Sequence, residues 1–464
     1  MAGRRQYWGR DSAFATVRKV ARPKLSGMQS RVVTRAAAAL LILMASLAAA
    51  HGAGAPVPAW PAGLAAWSAG VLLWPRLDPR QRRQVAWLIG IGLLALVIGA
   101  TLGVRGAWLG VLTQNNALLG MLVGVSFLQL VGLGSDEGRL PRGRGALWRT
   151  LAGVHLFGAV INLSAVFIMG DRMSAGGRQL ELRQAVLLVR GFLAAAMWSP
   201  FFAAVAVALT YAPGSTLLGV VAAGAPFALL LLALAGYRLE RELGAGVTGF
   251  VGYPMHVAAL WLPVLLAVTV AAGRQWLPGW TALAVITVAA PVIAVLASLL
   301  RHGPVETVRR VGDQAATRLP AMSGELALFL AAAVFASGLQ SMIAASGHWL
   351  PFAQFGALQA ALVLGAMIGA ALIGVHAVIS ISLVSAWLSP ISPDPVLLAT
   401  IFSQSWAVGL AVSPLSGIHL ALQGRYGLPA AALARANAGY GLRAYGLAAL
   451  WLAAIAWWRG VALY

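Results

Sequence analysis

The residues of this chain that could do chemistry lie inside apolar runs, and they come in two similar sets. Gly153-Val154-His155 is followed by Asn162 and Ser164, and then by Ser199-Pro200. Gly374-Val375-His376 is followed by Ser380 and Ser382, and then by Ser413-Pro414-Leu415-Ser416-Gly417 with His419 just beyond. Further on, Leu209, Tyr211 and Pro213 are paralleled by Leu422, Tyr426 and Pro429. Proline removes a backbone donor and frees the carbonyl four residues earlier, so a break at each Ser-Pro would leave polar backbone able to coordinate an ion. Amides, hydroxyls and helix N-termini suit anions. A histidine at membrane depth suits proton transfer, its unperturbed pKa being near 6.5. The candidate binding residues are therefore Asn162, Ser164, Ser199, His376, Ser380, Ser382, Ser413 and Ser416. Each also has a plain structural reading: a turn, a helix kink, a hydroxyl packed between helices, or an imidazole satisfied by a neighbouring carbonyl.

Other polar positions are less specific. Gln114-Asn115-Asn116 could line a pathway or cap a helix near the outer surface, the second being preferred. Arg190, about one turn inside its apolar run, is expected to extend to the membrane edge. All twelve acidic residues fall in loops, tails or run ends, Asp171 and Glu325 coming closest to the bilayer. No membrane-embedded carboxylate is therefore expected to relay cations or protons. The chain has no cysteine, so thiolate chemistry and disulfides are excluded. No nucleotide-binding, metal-binding or catalytic-triad pattern is present, and no cofactor is implied.

The elements that must position these residues are membrane helices. Hydrophobic residues make up 60% of the chain and charged residues 10%, with a mean hydropathy of +0.83. The net charge of +21 is spread over short loops as arginine, which reports membrane orientation and does not indicate a nucleic-acid partner. A basic tail over 1–35 stays in the cytoplasm and a first helix covers 36–53, although a start at Met28 would make it resemble a signal peptide. Spans then follow near 59–75, 85–103, 107–133, 185–210, 215–236, 247–271, 280–300, 325–345, 395–423 and 443–459. The loop arginines are reconciled only if 150–170 is a re-entrant hairpin on the cytoplasmic side and 353–389 one on the outer side. The expected fold is thus an all-α polytopic membrane protein with eleven crossings. Two inverted repeats, 59–236 and 247–460, each carry one hairpin. The Arg, Ala, Gly and Pro usage suggests a bacterial source and hence the inner membrane.

This layout resembles the ion transporter superfamily of dicarboxylate, citrate and arsenite carriers, on the order of one helix plus two repeats with a hairpin before each broken helix. Asn162-Leu163-Ser164 is similar to the family's hairpin-tip pattern, while the second tip has His376 and no Asn. The resemblance implies a secondary transporter of a small anion driven by Na⁺ or H⁺, working as a homodimer with an elevator-type stroke. Na⁺ is favoured as coupling ion, with Ser164, Ser380 or Ser416 as ligands; His376 is the alternative, as proton carrier. A second reading, a membrane-embedded polysaccharide polymerase or glycosyl-transfer enzyme, would need a sizeable outer loop that the sequence does not offer.

Overall fold

A computed structural model describes residues 27–104, 106–131, 139–176, 178–255, 261–345, 352 and 354–464. Most of the basic tail, residues 256–260 of the span expected at 247–271, and residues 346–351 and 353 ahead of the second hairpin lie outside the described residues. The described chain is helical, with no β-structure beyond one isolated bridge between Arg142 and Val251. Among the described residues seven helices are long and apolar enough to cross a membrane, which makes this a multi-pass membrane protein.

In chain order the first helices are α1 (Gly27–Gly52), α2 (Trp60–Leu73), α3 (Pro79–Thr101), α4 (Gly110–Thr113) and α5 (Asn116–Ser126). Then come α6 (Arg144–Ile161), α7 (Leu163–Met173), α8 (Leu182–Ala194), α9 (Ala203–Tyr211) and α10 (Leu217–Leu243). The second half holds α11 (Trp261–Trp276), α12 (Ala282–Ala321) and α13 (Ser323–Ala345), then α14 (Ala357–Leu372) and α15 (Ala377–Leu388). It ends with α16 (Pro395–Val412), α17 (Gly417–Tyr426) and α18 (Ala430–Arg459). Start signals in the sequence explain several boundaries. Asp78 accepts hydrogen bonds from the backbone of Arg80 and Gln81 with Pro79 in the first turn, and Asp394 does the same for Val396 and Leu397 ahead of Pro395. Thr216 and Thr281 cap α10 and α12.

Some expected spans differ in detail. α1 begins at Gly27, so Arg31 and Arg35 ride on the helix itself. The run 107–133 is not one helix: it breaks at Gln114 and Asn115 between α4 and α5. The run from 280 continues to Ala321 with a break at Gly303, whose φ of 77° lies in the left-handed region where glycine is unstrained. The last helix starts at Ala430, well before position 443.

The helices sort into two bundles. α1 to α5 pack with α11 to α13, and α6 to α10 pack with α14 to α18; the main contact between them runs through α13 and α15. Without a hydrophobic drive between helices in lipid, close approach depends on small residues. The α3–α13 pair shows this: a Cβ on Gly92 would lie 2.6 Å from the carbonyl oxygen of Val334, and one on Gly338 would lie 2.2 Å from that of Gly92.

Candidate functional site

α6 and α7 fold back on each other, with Gly153 beside Met169, and the turn is a single residue, Asn162, held at φ 53°. Its amide Nδ2 donates to the carbonyl of Phe201 at 3.3 Å. That carbonyl belongs to the break between α8 and α9, where Ser199 Oγ donates to the carbonyl of Ala159 on α6 and accepts from the backbone N–H of Phe201. The first helix pair is thereby tied to the first break at two points. Ser164 occupies the second position of α7 and is half-buried.

The second half repeats the arrangement. The break between α16 and α17 has Ser413 Oγ accepting from the backbone N–H of Leu415 at 3.3 Å, as Ser199 does from Phe201 at 3.2 Å. Backbone bonds match as well: Ser413 N–H to Gly409 and Ser416 N–H to Ser413, against Ser199 N–H to Ala195 and Phe202 N–H to Ser199. The turn between α14 and α15 packs on this break through Gly374 and Leu415.

Helix starts make the correspondence quantitative. Arg144, Leu163, Leu182, Ala203 and Leu217 are answered by Ala357, Ala377, Pro395, Gly417 and Ala430, each about 213 positions on. This register corrects one sequence parallel. Ser199 and Ser413 do occupy one slot, but His376 pairs with Asn162, since these two residues cap α15 and α7. His155 lies well inside α6, seven residues before the turn, so the shared Gly-Val-His letters are not structural counterparts.

The three buried or half-buried histidines of these bundles differ in what their ring nitrogens do. His155 Nδ1 donates to the carbonyl of Gly191, and Nε2 accepts from Trp198 Nε1 at 3.1 Å, so both are used. His376 Nδ1 accepts the backbone N–H of Val378, so its proton sits on Nε2, and the ring meets Trp406 edge-on at 5.6 Å. His419 Nδ1 donates to the carbonyl of Ser413 at 2.8 Å, which leaves Nε2 as an acceptor; it is buried and has no partner among the described residues. Ser416 Oγ, at the cap of the same helix, is likewise buried and unpartnered. Ser380 and Ser382 spend their hydroxyls on their own helix, at the carbonyls of Ala377 and Ile379.

Four short helices, α7, α9, α15 and α17, start at these two breaks and two turns. Asn162 joins the start of α7 to that of α9, and Gly374 against Leu415 joins α15 to α17. The C-terminal ends of α7 and α17 meet, where Asp171 accepts from Arg425 Nε at 2.8 Å and from Tyr426 OH at 2.8 Å. The Arg425 guanidinium holds the Asp171 carboxyl below the ordinary carboxylate range. α9 runs alongside α15, where Ser385 Oγ donates to the carbonyl of Tyr211. The N-termini thus gather two at each break, α7 with α9 and α15 with α17, and three of the four have no side-chain cap, His376 providing the only one. Uncapped N-termini present free N–H groups and the positive end of the helix dipole.

Several residues fall elsewhere than expected. Arg190 does not reach the membrane edge: it is 1% exposed, with Nε donating to Asn437 Oδ1 at 2.8 Å, Nη2 donating to the carbonyl of Ala436, and Nη1 unpartnered. Asn115 and Asn116 are buried, not surface caps. Asn115 Nδ2 bridges the two bundles, donating to Tyr211 OH and to the carbonyl of Phe329. Sequence reasoning missed Ser403-Gln404-Ser405 in α16. Gln404 is fully buried with neither end of its amide partnered, and it lies in the slot that Arg190 fills in α8. A polar triplet inside an apolar run was the available signal. Glu325, in the first turn of α13, faces a small apolar groove lined by Leu41, Met44, Leu119, Leu122 and Val123.

No family model matches the chain, and no curated protein matches it. Among solved structures it is similar to the Alcanivorax borkumensis YdaH transporter, whose crystal structure is described as revealing an unusual topology. The TM-score is 0.45 at 15% identity, over 80% of this chain and 84% of that one. A likeness at that level carries no inference about mechanism.

Proposed function

We propose that this protein is a secondary active transporter of a small anion across the bacterial cytoplasmic membrane and not an enzyme. The observation that carries the reading is the pair of helix N-termini brought together at each of the two breaks. An N-terminus attracts anions through its free N–H groups and its dipole, and discontinuous helices meeting inside a membrane are the usual way a carrier builds such a site. No Asp or Glu lies in α9, α15 or α17, and the single one in α7, Asp171, is at the far end and paired with Arg425. Asn162, Ser199, Ser413 and Ser416 frame the site on this reading, with Ser164 and His376 beside it.

The membrane arrangement that accompanies it has eleven crossings, α2, α8 with α9, α11 and α18 joining the seven long apolar helices. The α6–α7 and α14–α15 pairs are re-entrant hairpins opening to opposite sides, which keeps the loop arginines and the N-terminus in the cytoplasm. A homodimer and an elevator-type stroke rest on the family resemblance alone. The hairpin-bearing bundle would be the moving part and the α1–α5, α11–α13 bundle the frame.

The absence of cysteine makes the topology directly measurable. A single cysteine in place of Arg178, in the loop after α7, is expected to react with a membrane-impermeant maleimide only after cells are permeabilised. Labelling from intact cells would remove the first re-entrant hairpin. Function is tested with the purified protein in proteoliposomes, by uptake of labelled sulfate, phosphate and succinate under imposed Na⁺ and proton gradients. Saturable, protein-dependent uptake of at least one is expected; uptake of none, by protein shown to be folded, would overturn the reading.

A further inference from the structure

The structure points to His419 as the residue that couples anion binding to a proton, an inference that rests on the anion-transport reading. We infer that the anion is held at the start of α17 by His419 in its imidazolium form together with Ser416 Oγ, so that each anion moves with a proton.

The argument starts from the ring nitrogens. A neutral histidine has one N–H and one lone pair, and which is which follows from the partners. His155 cannot take up a proton without opposing the indole N–H that already points at Nε2. His376 could be protonated only at Nδ1, where it would lose the backbone N–H of Val378 and leave α15 uncapped. His419 differs from both. Its Nδ1–H is committed to the carbonyl of Ser413, so a proton arriving at Nε2 breaks no existing bond. The side chain is fully buried, and Nε2 has no partner among the described residues. A second orphan lies one turn away: Ser416 is 2% exposed and its Oγ is unpartnered.

Buried polar atoms are rarely left unsatisfied, because each costs free energy comparable to a lost hydrogen bond. Two orphans on one helix start imply a ligand that satisfies both. Neutral His419 offers only a lone pair, which an anion would avoid. Protonation turns Nε2 into a donor, after which His419 Nε2–H, Ser416 Oγ–H and the uncapped backbone N–H groups of α17 all point donors at one anion. Proton and anion therefore each favour the binding of the other, and when both leave on the far side His419 returns to its neutral form. No proton is gained or lost over the cycle.

Charged groups on the surrounding elements do not compete for this role. On α17 itself, Arg425 and Tyr426 are engaged with Asp171 of α7. Arg172 of α7 sits at that helix's far end, beside Asp171. On α18, Arg435 and Arg443 donate to carbonyls of their own helix at Ala431 and Gly439, and Tyr440 lies beneath Arg190. α15 and α16 carry no Asp, Glu, Lys or Arg, and His376 caps α15.

The test uses the full-length protein in proteoliposomes with the membrane voltage clamped, and sulfate, phosphate and succinate as probes. With the outside one pH unit more acidic, wild type should accumulate its anion about tenfold for each proton carried with it. A Na⁺ gradient without a pH gradient should not drive accumulation. His419→Asn keeps a donor near the Nδ1 position for the Ser413 carbonyl and removes the titrating nitrogen; whatever uptake it retains should no longer depend on external pH. Undiminished pH-driven accumulation in His419→Asn, or accumulation driven by Na⁺ alone, would overturn the inference while leaving a transporter in place. Uptake of none of the probes would overturn the transport reading and this inference with it.

A readout independent of transport guards against a variant that does not fold. ¹⁵N spectra of histidine-labelled wild type should place the His419 proton on Nδ1 and the His376 proton on Nε2 at pH 7.5. Adding the transported anion should convert His419 alone to the doubly protonated form. A His419 signal unmoved by a bound anion would overturn the inference.

Discussion

Replacing Arg190 by methionine is expected to leave the protein about as stable as wild type and to cut anion uptake roughly eightfold. Its partners are an amide oxygen and a carbonyl, Asn437 Oδ1 and Ala436, with the Tyr440 ring 4.7 Å from the guanidinium carbon and Nη1 without a partner. A buried guanidinium held only by neutral groups recovers little of its desolvation cost, and apolar replacements of buried ionic groups are often neutral or stabilising by about 1–4 kcal/mol. Against that gain stands Asn437 Oδ1, which would lose its donor at a cost of about 1–3 kcal/mol. The two nearly cancel. The effect on anion binding does not cancel. Arg190 lies nine residues before Ser199, about 13.5 Å along the helical path at ~1.5 Å per residue. A unit charge at that distance from an anion drawn to the first break contributes about 1.2 kcal/mol at an effective dielectric constant near 20, which is about eightfold in affinity. Thermal denaturation in detergent and concentration-dependent uptake, at matched reconstitution, measure the two parts separately. Arg190→Lys should retain much of the uptake. A large loss of stability in Arg190→Met, with uptake falling only in proportion to folded protein, would make the arginine a structural strut.

Helix content was legible in this sequence because apolar length alone decides it, and so were the two Ser-Pro breaks, which share the bond from a backbone N–H two residues on to the serine Oγ. The turn residues were harder. Asn162 and His376 fill one slot with side chains of different chemistry, so matching letters aligned His376 with His155 instead. Arg190 was misplaced for another reason: what buries it is α18, some 247 residues away in the chain, and no local pattern reports that contact. Gln404 was passed over because a polar triplet within an apolar run reads as packing between helices until the amide's missing partners are seen. The orphan atoms of Ser416 and His419 could not have been read at all, since satisfaction is a property of the folded neighbourhood. Residue types marked the candidate stretches of the chain; which of their side chains lack partners depends on tertiary contacts.

The breaks also set the most severe stability effect expected in the chain, at Gly224→Ala. A Cβ at this position of α10 would lie 1.8 Å from the carbonyl oxygen of Met197 and 2.7 Å from its carbon. Both are backbone atoms, in the short 3₁₀ turn (Ala195–Met197) that leads into Ser199-Pro200, so no side-chain rotation can make room. Either α10 moves away from the turn, or the turn shifts and drags Ser199 Oγ off the carbonyl of Ala159. Overpacking in a well-filled interior costs about 1–3 kcal/mol, and a backbone clash that also breaks a buried hydrogen bond belongs at or above the upper end of that range. Gly446→Ala is the matched control. Gly446 lies within α18, where an added methyl would have nothing within 4 Å, and there alanine should stabilise the helix by up to ~1 kcal/mol. Thermal unfolding followed by monodisperse elution in detergent should therefore separate the two substitutions in opposite directions. Equal stability of Gly224→Ala and Gly446→Ala would mean that α10 does not press on the first break. The Ser199 hydrogen bonds would then owe their geometry to α6 alone, and the first break would be free to move without α10.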